Sequence, residues 1–306
     1  MISKKILYMG TPEYATIILD SLIKHNYEIV GLFTQPDKKV GREQLITPPH
    51  IKQYCINHNY HFPIYQPDAL KGSCVVDVIK SLNPDFIIVA AYGQILPKNI
   101  LEIAPCINLH ASLLPKYRGA SPIQKSILNN DGFTGVTAMM MEEGLDSGDI
   151  LGFKYFELKR DTDVEELFNI LSTAAANLII EVLERFDYLL PLKQNDTQVS
   201  FCGKITKNDG LISFYNSEIF YSRYKAYKIW PGIFLESGLK IKNVNFEENR
   251  SSNREGEILE IRKDSIVLGC TKGSLVLFEV QAPSKKVMNI IDYIRGSRLL
   301  LGDILF

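Results

Sequence analysis

The sequence predicts an α/β protein, with a doubly wound, mostly parallel, Rossmann-like sheet domain followed by a smaller β-barrel domain of the oligonucleotide-binding (OB-like) kind. Three observations carry this. Up to about residue 190, short apolar runs alternate with segments of helical periodicity, the pattern of β-α-β units on a parallel sheet. The run Phe86-Ile87-Ile88-Val89-Ala90-Ala91 is apolar without alternation, as expected for a strand covered by helices on both faces. Beyond residue 203, about five short strand candidates suffice for a small barrel.

Taken in order, residues 6–9 read as the first strand. Thr11 stands where it can cap the next helix, Pro12 suits its first position, and Ala15, Ile18, Leu19 and Leu22 recur at helical spacing. Residues 29–34 form the second strand. A loop of unusual length follows, residues 35–49, rich in Pro, Gly and charge; such loops in compact domains are usually functional or disordered. Residues 86–91 are the central strand, 107–110 and 135–141 are further strands, and 163–189 read as a long closing helix. The sequence then turns polar and loses its period, which sets the expected boundaries: a first domain over 1–190, a linker over 191–203 and a second domain over 204–306. That second domain holds a helix near 217–228 and strands near 232–235, 239–246, 256–261, 265–269 and 273–280.

With 306 residues, 46% hydrophobic and 23% charged, the chain can bury two cores of ordinary size. Its five cysteines are scattered, with no C-x-x-C pair, which excludes a disulfide framework or zinc site of recognisable spacing and fits a reducing, cytoplasmic compartment. No stretch is expected to approach the ~18 apolar residues of a membrane span, so no membrane partner is expected, and the chain is expected to be a monomer. Residues 203–306 carry 16 Lys+Arg against 12 Asp+Glu, whereas residues 1–202 carry 18 against 23. That asymmetry fits a nucleic-acid face on the second domain and equally an ordinary solvated surface.

Chemistry is written most densely in the middle of the first domain. After the first strand stands G-T-P-E-Y-A, with one glycine where a dinucleotide fingerprint needs three, so a nicotinamide enzyme is disfavoured. Asn108 and His110 lie two residues apart at the end of a strand, so both point to one face. Ligands of open α/β sheets bind at the carboxyl ends of strands. Histidine can move protons near neutral pH, and asparagine can donate to an oxygen that becomes negative. Asp146, in a turn after the next strand, could orient His110. Taken singly, each has a plainer reading: a strand-end cap, a hydrogen-bonded core histidine, a solvated loop acid.

The run N-L-H-A-S-L-L-P-K-Y-R-G-A-S-P-I, followed by G-V-T and G-L-D-S-G-D-I-L, resembles the signature of the folate-dependent formyltransferase family. The resemblance implies that Asn108, His110 and Asp146 are catalytic and that Ser112, Leu113, Leu114 and Pro115 line a reduced-folate site. It also implies 10-formyltetrahydrofolate as the formyl-donor cosubstrate and requires no metal. Residues 9–12 (MGTP), 34–37 (TQPD), 65–67 (YQP), 91–93 (AYG), 204–207 (KITK) and 230–232 (WPG) are similar to words of the branch acting on initiator methionyl-tRNA for translation initiation. In that branch the loop after the second strand meets the acceptor end of the tRNA, which implies contacts by Lys38, Lys39 and Arg42, with Lys204 and Lys207 near the linker. This chain departs from the pattern at Glu43-Gln44, where the family tends to be basic. Two other readings stay open: a formyltransferase acting on an amino-sugar nucleotide, and a tRNA- or folate-binding module without catalysis.

Overall fold

The computed structural model describes residues 4–41, 43–247 and 251–305. In chain order the elements are β1 (Lys5–Gly10), α1 (Glu13–Lys24), β2 (Glu28–Phe33), β3 (Lys38–Val40), β4 (Leu45–Thr47), α2 (His50–Asn57), β5 (Ile64–Tyr65), α3 (Ser73–Leu82), β6 (Phe86–Ala90), α4 (Lys98–Leu101), β7 (Cys106–His110), β8 (Arg118–Gly119), α5 (Pro122–Leu128), β9 (Phe133–Met140) and β10 (Ile150–Glu157). There follow α6 (Val164–Arg185), β11 (Phe201–Cys202), α7 (Ser217–Tyr227), β12 (Ile233–Phe234), β13 (Lys240–Glu247), β14 (Ile258–Ile261), β15 (Ile266–Gly269), β16 (Ser274–Gln281), β17 (Met288–Asn289) and α8 (Ile290–Ser297). The chain divides into two compact units. One comprises Met1–Pro122, Phe133–Glu157 and Phe168–Cys202; the other comprises Ile123–Gly132, Leu158–Leu167 and Gly203–Phe306.

The first unit is built on a seven-stranded sheet in the order β10-β9-β7-β6-β1-β2-β5. From β7 to β5 every pairing is parallel, while β9 runs antiparallel to β7 and β10 antiparallel to β9. The mostly parallel sheet is the expected one. β6 and β7 are buried throughout and β1 from Ile6 on, as their unbroken apolar runs require. β10 escapes sequence reading for the opposite reason: it is an edge strand whose Phe153 and Tyr155 are exposed. Leu7, Met9, Ile87 and Val89 of the sheet pack with Val76 and Ile79 of α3 in one core cluster. Ala15, Ile18, Leu19 and Leu22 are buried, as the periodicity of α1 demands.

Three expectations change in the structure. Thr11 does not cap α1; its hydroxyl donates to the carbonyl of Tyr92 at 3.0 Å, and Pro12 occupies the cap position without a side-chain hydrogen bond. The long loop after β2 contains an antiparallel hairpin, β3 with β4. Residues 164–188 are, by length and composition, apolar enough to cross a membrane, which corrects the expectation that no stretch approaches this. Most of that stretch is buried: Leu171, Ala175, Ile179 and Leu183, one helical turn apart, are fully covered. Its apolar length belongs to a core helix.

The second unit is an antiparallel sheet in the order β12-β13-β16-β15-β14, with β17 paired to β16. Buried residues include Ile241, Val244, Ile258, Ile266, Leu268, Leu275 and Leu277 on its strands and Ile290 and Ile294 of α8. Asn216 caps α7 through hydrogen bonds from the amides of Glu218 and Ile219, and Asn289 caps α8 through that of Ile291.

Candidate active site

β7 lies between β6 and β9, with Asn108 opposite Val89 on one side and Met139 on the other, and His110 opposite Thr137. Alternation sends Asn108 and His110 to one face and Leu109 to the other. Both polar side chains are less than one tenth exposed, so each must find partners inside the protein.

Asp146 approaches both. β9 runs antiparallel to β7, and Met140 pairs with Ile107, near the start of β7. Residues 141–149 therefore fold back along the sheet to reach Asn108 and His110. Asp149 comes home to accept from the amide of Met140 at 2.8 Å. The return passes so close to its own strand that a Cβ on Gly148 would fall 1.9 Å from the carbonyl oxygen of Met140, so only glycine fits. At the far end of this loop, Asp146 adopts a left-handed backbone with φ of +48°. Its Oδ1 accepts from Asn108 Nδ2 at 3.2 Å, its Oδ2 accepts from the amide of Gly119 at 2.9 Å, and Oδ2 stands 3.6 Å from His110 Nδ1.

The other imidazole nitrogen is committed. Nε2 of His110 lies 2.9 Å from the carbonyl oxygen of Tyr117, and a carbonyl only accepts, so Nε2 carries a proton. Tyr117 points that carbonyl inward because its own φ is +62°. Nδ1 is the nitrogen left facing the carboxylate.

The segment between the two is folded by internal bonds. Ser112 Oγ donates to the carbonyl of Lys116 at 2.6 Å, while Thr137 Oγ1 donates to the carbonyl of Ser112 and accepts from the amide of Leu114. Of the residues matched to a folate site, Ser112 and Leu114 turn inward, the latter against Met139 and Ile150. Leu113 and Pro115 are half-buried and offer apolar surface. Lys38 and Lys39 stand exposed on the β3–β4 hairpin, and Arg42 lies outside the described residues. Lys204 and Lys207 are exposed in the second unit, Lys207 opening a short 3-10 turn capped by Thr206 and Asp209. Among the described residues no three His, Cys, Asp or Glu side chains gather as a metal-ligand set.

Sequence reasoning gave no role to three residues that frame the site. Arg118, 7% exposed, directs Nε and Nη2 at Oε1 of Gln194, at 3.0 and 2.8 Å. Gln194 Nε2 donates to the carbonyls of Asp146 and Gly148, at 2.9 and 2.8 Å. Ser200 Oγ accepts from the amide of Tyr117 at 3.0 Å. The signal for Arg118 was present in K-Y-R-G, next to the motif; Gln194 and Ser200 sit in a polar stretch that reads as a linker.

This convergence of amide, imidazole and carboxylate lies in a chain whose larger part is a formyl transferase domain. Residues 4–183 match the family model described as formyl transferase, and residues 204–298 match that of the formyl transferase C-terminal domain. Over 302 residues the chain is 51% identical to a methionyl-tRNA formyltransferase of a Nitratiruptor species, covering 99% of this chain and all of that one. It is 49% identical to that of Wolinella succinogenes, covering 99% of each. The chain belongs to the methionyl-tRNA formyltransferase family. Among solved structures it is similar in fold to WlaRD, described as a sugar 3N-formyl transferase, with a TM-score of 0.66, 17% identity and coverage of 94% of this chain and 100% of that one. HypX from Aquifex aeolicus, solved with tetrahydrofolic acid, gives a TM-score of 0.66 at 14% identity over 95% of this chain. The chain spans about half the length of HypX, covering 47% of it.

Proposed function

We propose that the protein transfers the formyl group of 10-formyltetrahydrofolate to the α-amine of methionine esterified to initiator tRNA, preparing it for translation initiation. The observation that carries this reading is full-length likeness, at about half identity, to enzymes of that name. Asn108, which donates to Asp146, and His110, whose Nδ1 stands 3.6 Å from the same carboxylate, supply with Asp146 the groups the chemistry needs.

In this reading the neutral amine attacks the formyl carbon and the carbonyl oxygen becomes an oxyanion. Asn108 gives one amide hydrogen to Asp146 and has a second for the oxyanion. A protonated His110 donates from Nδ1, since Nε2 is tied to Tyr117. Losing one such donor typically costs roughly 3 to 4 kcal/mol of barrier. When the bond from the formyl carbon to N10 breaks, the proton released by the amine ends on N10, and Asp146 keeps His110 oriented to pass it. Leu113 and Pro115 lie against the folate, and the Ser112 and Leu114 anchors hold their turn. Lys38, Lys39, Arg42, Lys204 and Lys207 meet tRNA phosphates. No metal enters the scheme, the protein acts as a monomer, and translation initiation puts it in the cytoplasm.

The test is formyl transfer from 10-formyltetrahydrofolate to charged initiator tRNA, with charged elongator tRNA and free methionine alongside. Transfer confined to the initiator supports chemistry and partner together. Transfer to an amino-sugar nucleotide instead would overturn the acceptor while keeping the site.

A further inference from the structure

The Arg118–Gln194 pair takes no part in the reaction just drawn, yet it is tied directly to the loop that carries Asp146. The two ends of a glutamine amide are not equivalent: Oε1 only accepts and Nε2 only donates. Two guanidinium N–H groups converge on Oε1, and arginine cannot give up its charge, so the amide has one orientation. Nε2 is thereby aimed at the carbonyls of Asp146 and Gly148, on either side of Ser147. The clamp is itself anchored: two residues before Gln194, Leu192 exchanges both backbone hydrogen bonds with Ile150, at 2.8 and 2.9 Å. Asp146 sits in a left-handed conformation that persists only when its surroundings over-determine it.

We infer that Gln194, oriented by Arg118, is a positioning residue that fixes the Asp146 carboxylate against Asn108 and His110. The inference rests on the proposed function for its kinetic consequences. The Asp146 carboxylate stands 3.2 Å from Asn108 and 3.6 Å from His110, and a shift of about 1 Å at a reacting centre can cost roughly 10²-fold in rate.

Two variants isolate the effect. Gln194→Glu keeps the length and the oxygen that Arg118 holds but turns an acceptor toward two carbonyls. Gln194→Met keeps the bulk and loses both contacts. Each is expected to lower the melting temperature and, assayed well below it, to lower kcat about 10²-fold, with KM for folate and for acceptor within about threefold of the unaltered enzyme. Each should also move the 15N signals of the His110 imidazole, recorded without substrate. Arg118→Lys, which offers one point charge in place of a fork, should fall between. Unchanged kcat and unchanged His110 signals in both Gln194 variants would overturn the inference, and so would lost stability with kcat preserved. If the unaltered protein formylates no charged tRNA, the functional reading fails, and the His110 signals still decide whether Gln194 holds the site.

Discussion

His110 donates through Nε2 to the carbonyl of Tyr117 at 2.9 Å, and that bond turns Nδ1 toward Asp146. The two nitrogens therefore have different duties, one structural and one chemical, and amide substitutions can separate them. The side-chain nitrogen of Gln reaches about as far as Nε2, whereas the polar atoms of Asn stand near Nδ1. His110→Gln should keep the Tyr117 contact and a near-normal melting temperature while lowering kcat/KM by about 10² to 10⁴, the range of general acid–base contributions. His110→Asn should lose both rate and stability. A Gln variant with unimpaired turnover would remove His110 from the proton path.

Asp146 accepts from two donors, Asn108 Nδ2 on one oxygen and the Gly119 amide on the other. Asp146→Asn must turn an NH2 group against one of them. Hydrogen bonds to charged groups are worth about 1.5 to 3 kcal/mol, so urea denaturation near neutral pH should report a loss of that order, accompanied by a fall in kcat. Unchanged stability would mean that water or a shift of the loop relieves the clash.

Gly119 connects the site to the strap that follows α6. Its φ is +122°, and a Cβ there would lie 2.2 Å from the carbonyl oxygen of Cys202, across the β8–β11 pairing. Gly119→Ala should cost about 1 to 3 kcal/mol from the backbone conformation alone, with the clash in addition. Because the Gly119 amide is a donor to Asp146, activity should fall beyond what the unfolded fraction explains. Thermal melts and kcat on the same preparation check both.

How much of this was legible follows from the range of the contacts. The central strands could be read because burial on both faces leaves an unbroken apolar run, and Asn108 and His110 stood out as polar residues ending one. Asp146 could be offered from its turn after the next strand, but a solvated loop acid fitted the sequence as well, since its approach to β7 depends on an antiparallel β9 and a loop that folds back at Gly148. Gln194 was not legible at all: its partners Arg118, Asp146 and Gly148 are 76, 48 and 46 residues away. A polar residue paired at such distances looks, in one sequence, like a solvated linker. β10 was missed because its outward Phe153 and Tyr155 break the half-buried alternation of an edge strand.

Lys38 and Lys39 stand on the exposed β3–β4 hairpin beside Leu45 and Ile46, which are 62% and 71% exposed. If both lysines meet phosphates of a single-stranded acceptor end, each contact contributes about 0.7 to the slope of log affinity against log salt. Lys38→Ala with Lys39→Ala should flatten that slope for initiator tRNA by about 1.4 and leave kcat at saturating tRNA unchanged. Binding titrations over a range of salt concentrations measure it, and an unchanged slope would place the tRNA elsewhere.

Asp163 has two separable roles at the start of α6. Its Oδ1 accepts from the amides of Glu165 and Glu166, capping the helix, and its Oδ2 accepts from Lys228 Nζ at 2.6 Å. Burial alone would raise the carboxyl pKa, but the bonds from Lys228 and from the Glu166 and Glu165 amides outweigh it and hold the group below its ordinary value. A depressed folded-state pKa stabilises the fold above the unfolded value of about 3.9, and that contribution is lost as pH falls through the folded value. Asparagine caps as well as aspartate, so Asp163→Asn removes the ion pair alone. The pair is partly exposed, which limits its worth to about 1 kcal/mol or less. The variant should therefore trail the unaltered protein by more at pH 7 than at pH 3, the gap closing as pH falls through the depressed folded-state value. Asp163→Ala loses the cap as well and should trail by about a further 1 kcal/mol at both pH values. Urea denaturation of the three proteins at pH 7 and pH 3 separates the two roles, and an asparagine deficit of equal size at both would show that Lys228 contributes nothing through charge.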